Sequence, residues 1–235
     1  MRITMIGHST VLIETNGKKI LTDPYFGTRG NPAFARCGKP AKSREEMMAV
    51  DGILVSHDHW DHTDGKYLRM LGETPVLAPR LTSWLIKLLG GRNVIGIKSW
   101  ESREIGGVTI TAVPAVHMTV TVGYVLESEN QRVFFAGDTF YSGFMKKIGE
   151  RFRIDVALMP VTTYRIPMTM SDKGAVKAVQ MIKPGVVIPI HLGIIPRSPI
   201  LRTSQTPEQF TQRLKDSGAT AKVVLLREGE SYEMG

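Results

Sequence analysis

Three of the chain's six histidines fall inside one short segment, Ser56-His57-Asp58-His59-Trp60-Asp61-His62. Imidazole nitrogens and carboxylate oxygens are the donors zinc takes in roughly tetrahedral sites. Cys37 is the single cysteine, so a thiolate cluster is not available. The ligand set is N/O only, which suits Zn²⁺ first and leaves Mn²⁺ and Fe²⁺ open. The other three histidines, His8, His117 and His191, each come after an apolar, strand-like stretch. Surface histidines scattered at random would not be placed in this way.

The elements around the motif explain how such residues can converge. Residues 52–56 form an apolar run suited to a buried strand, and a helical pattern follows at about 64–71. The motif therefore occupies a strand-to-helix loop. Strands are predicted at 2–6, 10–15 and 18–22, with Asn16-Gly17 as a hairpin signal. Residues 24–50, rich in Gly and Pro, read as a long irregular loop of the functional kind. A second helix at 80–89 and strands near 94–98, 108–113 and 121–127 complete the first half.

The second half begins with strand 132–136, leading to Gly137-Asp138. A helix near 143–150, a buried strand at 156–159, a helix over 171–183 and a strand at 185–190 ending at His191 follow. Thr206-Pro207-Glu208-Gln209 combines an N-cap, a proline at the first helical position and a capping-box partner. That helix stops before Gly218, and residues 222–226 read as a last strand. Repeated strand–loop–helix order with apolar strands predicts an α/β fold. With no low-complexity linker and no short-period repeat, residues 1–235 read as a single domain.

The motif and the order of the later elements resemble the metallo-β-lactamase superfamily along essentially the whole chain. Within that superfamily the sequence resembles the branch of L-ascorbate-6-phosphate lactonase-like proteins and N-acyl-phosphatidylethanolamine phospholipase D. It is carried by residues 6–13 (Ile-Gly-His-Ser-Thr-Val-Leu-Ile), by residues 20–24 (Ile-Leu-Thr-Asp-Pro), by residues 135–139 (Phe-Ala-Gly-Asp-Thr) and by the stretch from Ile182 to His191. The phospholipase's membrane-binding elaborations have no counterpart here. The resemblance implies a four-layer αββα sandwich. It also implies two divalent metal ions, one held by His57, His59 and His117 and the other by Asp61, His62 and His191. Asp138 would bridge them.

Two such ions would share a water and lower its pKa from 15.7 towards about 7. The implied activity is hydrolysis of an ester-type bond, a phosphodiester or a lactone, by a bridging hydroxide. Asp61, Asp138, Asp58 and His8 are the candidate catalytic residues. Asp58 would act as a proton shuttle or carboxylate acceptor, and His8 would orient substrate or ligand. Asp23 is a candidate hydrogen-bond partner for a metal-bound imidazole. Trp60 reads as packing and Cys37 as an ordinary loop thiol.

A net charge of +8, from 30 basic and 22 acidic residues, favours a small anionic substrate. Arg29, Arg36, Lys39, Lys42, Arg165 and Arg197 are candidates to receive it, with Tyr164-Arg165 foremost. Nucleic-acid processing is disfavoured, because the basic residues form no dense stripe with interleaved aromatics. An iron-dependent redox protein on the same scaffold is the other alternative. It is disfavoured because the diiron flavoproteins that share this motif carry a glutamate where His59 stands. No apolar run approaches the roughly 18 residues of a membrane span. With no signal-peptide pattern and one cysteine, the expected location is cytoplasmic.

Overall fold

The computed structural model describes residues 1–235. Strands β1 (Arg2–Gly7), β2 (Thr10–Thr15) and β3 (Lys18–Thr22) form an antiparallel meander. Asn16 and Gly17 both adopt positive φ, as the tight β2–β3 turn requires. A long loop carrying β4 (Phe34–Arg36) leads to β5 (Gly52–Leu54). Helix α1 (Gly65–Met70), β6 (Val76–Pro79), α2 (Ser83–Leu89) and β7 (Val94–Ile97) continue as parallel crossovers.

The second half repeats this plan. β8 (Ser102–Ile105), β9 (Val108–Pro114), β10 (Val122–Ser128) and β11 (Gln131–Phe135) form a second antiparallel meander. Helix α3 (Phe144–Arg151), β12 (Val156–Pro160), α4 (Asp172–Ile182) and β13 (Val186–Ile190) then run as parallel units. β14 (Ile194–Pro196) leaves the sheet to pair with β4. Helix α5 (Pro207–Asp216), β15 (Lys222–Val223) and β16 (Ser231–Glu233) end the chain.

Two seven-stranded sheets result, ordered β16-β1-β2-β3-β5-β6-β7 and β15-β13-β12-β11-β10-β9-β8. A core that includes Ile13, Leu54, Tyr124, Phe135 and Ile188 fills the space between them. A second core packs α3, α4 and α5 on the outer face of one sheet, and a third packs α1 and α2 on the other. The layers are α, β, β, α, as expected.

Most predicted elements are present within a residue or two. Only Lys222–Val223 of the expected 222–226 strand pairs, because the chain then leaves β13 for the far edge of the other sheet. β4, β6, β8, β14 and β16 have no counterpart in the sequence reading. They are three or four residues long, and the solvent-facing Ser102–Ile105 offers no apolar alternation to read.

Strand direction places the site. β1, β3, β5, β9, β11 and β13 carry His8, Asp23, His57, His117, Asp138 and His191 just beyond their carboxyl ends. Within each sheet these strands run parallel to one another, so all six residues emerge at one edge of the sandwich. This is the crevice where open α/β sheets place ligands.

Candidate metal centre

The loops at that edge are held by strained backbone. His8, Asp23 and His191 take positive φ values of 60°, 33° and 65°, a conformation costly for residues with a Cβ and concentrated at functional sites. Gly137 has φ 57°, and an added Cβ there would lie 2.4 Å from Ser56 Cβ. Glycine is required on both counts, and it sets the neighbouring Asp138 against the motif loop. The His191 N–H donates to the His8 carbonyl at 3.0 Å, and the Gly193 N–H to His8 Nδ1 at 3.2 Å. These bonds clasp the two sheets together at the site.

Two groups of donors face one another. His57, His59 and His117 have ligand atoms within 4.8 Å of one another, as do His8, Asp61, His62 and His191. His59 Nδ1 and His117 Nε2 lie 3.3 Å apart. That is the edge of a tetrahedron whose metal–nitrogen bonds are about 2.0–2.1 Å. Asp138 Oδ2 lies 3.3 Å from His62 Nε2, 3.1 Å from His191 Nε2 and 3.9 Å from His117 Nε2, so it touches both groups. His57 Nε2 and Asp138 Oδ1 are buried without any hydrogen-bond partner. Buried polar atoms are seldom left so, and convergent lone pairs of this kind fit divalent cations.

The outer hydrogen bonds agree with that fit. Asp23 is fully buried and accepts from the Ser56 N–H and Ser56 Oγ–H, both at 2.6 Å. With its proton committed there, Ser56 Oγ accepts from His57 Nδ1 at 2.9 Å, which leaves Nε2 of His57 as a free lone pair. Asp23 Oδ2 also accepts from His62 Nδ1 at 2.6 Å, which turns Nε2 of His62 towards Asp138. One carboxylate thus orients two imidazoles, the usual arrangement around metal-ligating histidines.

His8 has the opposite tautomer. Its Nδ1 accepts from Gly193, so the neutral ring carries its proton on Nε2, 3.4 Å from Asp61 Oδ2. It faces Asp61 as a donor rather than as a lone pair.

Electrostatics follow the same division. Burial pushes His8 down to about 3 and His117 down to about 4, and it holds His57 well below the usual imidazole range. These rings are neutral at pH 7. Burial would also lower His62, but the Asp138 and Asp23 carboxylates outweigh it and raise its pKa. Burial would raise Asp138, yet His191 and His62 hold it well below the ordinary carboxylate range. Asp61 is depressed for the same reason, with His62 and His8 overcoming its burial.

A cavity of about 180 Å³ opens beside these groups, reaching His59, Asp61, His117, Asp138 and His191. Trp60, read from sequence as packing, forms part of its wall and meets Tyr25 edge-on at 5.4 Å. Tyr164 also lines it, but the Tyr164 hydroxyl donates to the Ile194 carbonyl at 2.7 Å and so braces β14.

Other candidate residues stand outside this cavity, Asp58 among them. Its Oδ1 accepts from Thr119 Oγ1 at 3.1 Å, tying the motif loop to the loop after His117. Arg165 is exposed, sits in a bend directly after Tyr164 and does not line the cavity. Nor does any of Arg29, Arg36, Lys39, Lys42 or Arg197 line the cavity. Arg36 stacks on Tyr25 at 5.0 Å, Lys42 pairs with Glu46, and Arg197 donates to the Asn31 and Arg29 carbonyls.

Sequence reasoning missed Ser56 as the link between Asp23 and His57. Its position directly before the first motif histidine was the available signal. It also missed Phe34, Met118, Met168 and Ile194 as cavity wall, for which their sequence positions give none.

The fold and the donor set define a metal-dependent hydrolase, and comparison with known proteins agrees. The family described as "Beta-lactamase superfamily domain" matches residues 18–192. A UPF0173 metal-dependent hydrolase of Methanopyrus kandleri is 36% identical, with 99% of this chain and 100% of that protein covered. One from Pyrococcus furiosus is 33% identical, covering all of both. The chain belongs to the β-lactamase superfamily and, within it, to the UPF0173 metal-dependent hydrolases.

Among solved structures, Igni18, a metallo hydrolase of Ignicoccus hospitalis, is 25% identical with a TM-score of 0.78, over 100% of this chain and 99% of that one. An isothiocyanate hydrolase from Delia radicum gut bacteria shares the fold at 19% identity and a TM-score of 0.82, again over 100% and 99%. CmlA, a diiron β-hydroxylase of Streptomyces venezuelae, shares it at 17% and 0.78, over 99% of this chain and 54% of that one. The fold therefore hosts both hydrolytic and diiron chemistry.

Proposed function

We propose that the protein hydrolyses an ester-type bond, a lactone or phosphodiester, at a centre of two divalent metal ions, with zinc the favoured metal. His57, His59 and His117 would hold one ion, Asp61, His62 and His191 the other, and Asp138 would lie between them. The observation that carries this reading is the position of Asp138, whose Oδ2 is within 4 Å of nitrogens from both groups. When bound, such a pair supplies a shared water ionised to hydroxide near neutral pH and a Lewis acid for the substrate oxygen.

The chain's own residues prepare that chemistry. Asp23, with Ser56, keeps Nε2 of His57 and of His62 turned inward. His8 Nε2 faces Asp61 Oδ2 at 3.4 Å, where it can orient that carboxylate. Tyr164 holds β14 at the cavity through the Ile194 carbonyl. An anionic oxygen of the substrate would be met by the metals, since no lysine or arginine lines the cavity. The all-histidine triad at 57, 59 and 117, with no carboxylate among its three members, favours hydrolysis over an iron redox centre.

The test is a parallel screen of zinc-loaded protein on lactones, carboxylic esters, phosphodiesters and phosphomonoesters, with His59→Ala as control. Turnover of at least one ester class, lost in His59→Ala, is expected. Rates equal to the control in every class contradict the proposal.

A further inference from the structure

The cavity beside the donor groups has a chemical character of its own. Its walls away from the donors are Phe34, Trp60, Met118, Tyr164, Met168 and Ile194. The Phe34 and Tyr164 rings lie 5.7 Å apart, and Tyr164 turns its hydroxyl away to the Ile194 carbonyl, leaving its ring to the cavity. Trp60 and Met118 stay 38% and 59% exposed at the mouth. Large apolar side chains left in water at a cleft mark a binding site. A polar cavity adjoins this one across Tyr164, His191 and Ile194. The one arginine there, Arg202, spends Nε and Nη2 on the Pro196 and Arg197 carbonyls.

We infer that the substrate enters this cavity with an uncharged, apolar group about the size of a benzene ring. The volume argues for that size, since apolar cavities of roughly 150 Å³ bind benzene and this one measures about 180 Å³. The lining argues for neutrality. A charged group held against these apolar walls would lose its hydration and find no counter-charge, which only metal ions at the donor groups could supply. A nucleotide base with its phosphates, or a sugar phosphate, exceeds the space and finds no lysine or arginine in it. A larger substrate would place its polar remainder outside, towards the adjoining polar cavity. The inference rests on the proposed hydrolysis for calling this group part of a substrate, and its test does not depend on turnover.

The experiment is binding of straight-chain alcohols, from ethanol to octanol, to zinc-loaded protein. It is read by Trp60 fluorescence, with Trp60→Phe as the control that removes the signal. Affinity should rise about 4-fold per methylene until the chain fills a benzene-sized volume, and then level off. Met118→Trp, at an exposed position, should bring the plateau to shorter chains. Affinity independent of chain length, or a plateau unmoved in Met118→Trp, overturns the inference.

A second arm compares 4-nitrophenyl butyrate with a 4-nitrophenyl ester whose acyl chain ends in a carboxylate, each corrected by the His59→Ala rate. A lower KM for the neutral ester is expected, and a lower KM for the charged one is contrary. If the alcohols bind as described while no ester is turned over, the hydrolytic reading fails and the apolar cavity stands.

Discussion

The two donor groups meet at Asp138 but are built differently. The group of His8, Asp61, His62 and His191 is the buried one: His62 is fully enclosed, and Asp23 and Gly193 hold its rings by hydrogen bonds. His8 and His191 pay for their orientation with left-handed backbone. In the other group His57 and the His117 side chain are buried, and the partly exposed His59 makes this the more open group, although Asp61 and His191 of the first group line the same cavity. No protein group bonds His117 Nδ1. Both groups face the cavity, but the first takes more of its shape from left-handed backbone and from hydrogen bonds that cross between the sheets. The contrast teaches that rigidity lies where residues from both sheets must meet.

Asp138→Ala should break the comparison altogether, since both groups lose their shared carboxylate. The expected result is loss of both metal equivalents in a metal assay and turnover at the level of the His59→Ala control. Retention of either equivalent at full affinity would show that the groups are independent.

Asp23→Asn should come next and act on both groups through different bonds. It weakens the hold on His62 directly and on His57 through Ser56, so metal affinity should fall by about 10–100-fold in calorimetric titration. Gly137→Ala should destabilise the fold more than an ordinary surface change. Positive φ and the 2.4 Å approach to Ser56 both oppose a Cβ, and the cost should exceed about 1 kcal/mol in denaturant unfolding.

His8→Asn keeps a residue type tolerant of positive φ but removes the Nε2–H facing Asp61. Turnover should fall while the ion of the open group is retained. Loss of both ions instead would make His8 a determinant of the whole centre. Arg165→Ala should have the smallest effect, with kinetics and metal content unchanged, because its side chain points to solvent away from the cavity.

How much of this was legible in the sequence follows from the range of each signal. The motif at 57–62 is local, so spacing and donor type alone pointed to a metal. His117, Asp138 and His191 each stand one to three residues past a strand end, and the family resemblance in element order tied them to it. Asp23 was visible as a candidate, but its link to His57 depends on a Ser56 hydroxyl whose direction only the fold sets. Asp58 shows the limit from the other side. Its place between two ligand candidates suggested proton transfer, while the turn of the loop sends it to Thr119. The net charge of +8 was similarly misleading about the cavity, because charge counted over a chain says nothing of which side chains a β4–β14 pairing brings to one wall.

All of these outcomes depend on two ions in two groups joined by Asp138. Crystals of the zinc-loaded protein, with anomalous scattering measured on both sides of the zinc edge, test that arrangement directly. Two peaks are expected, one among His57, His59 and His117 and one among Asp61, His62 and His191, with Asp138 within coordinating distance of both. A single peak in fully loaded protein, or a second peak away from Asp138, would contradict it.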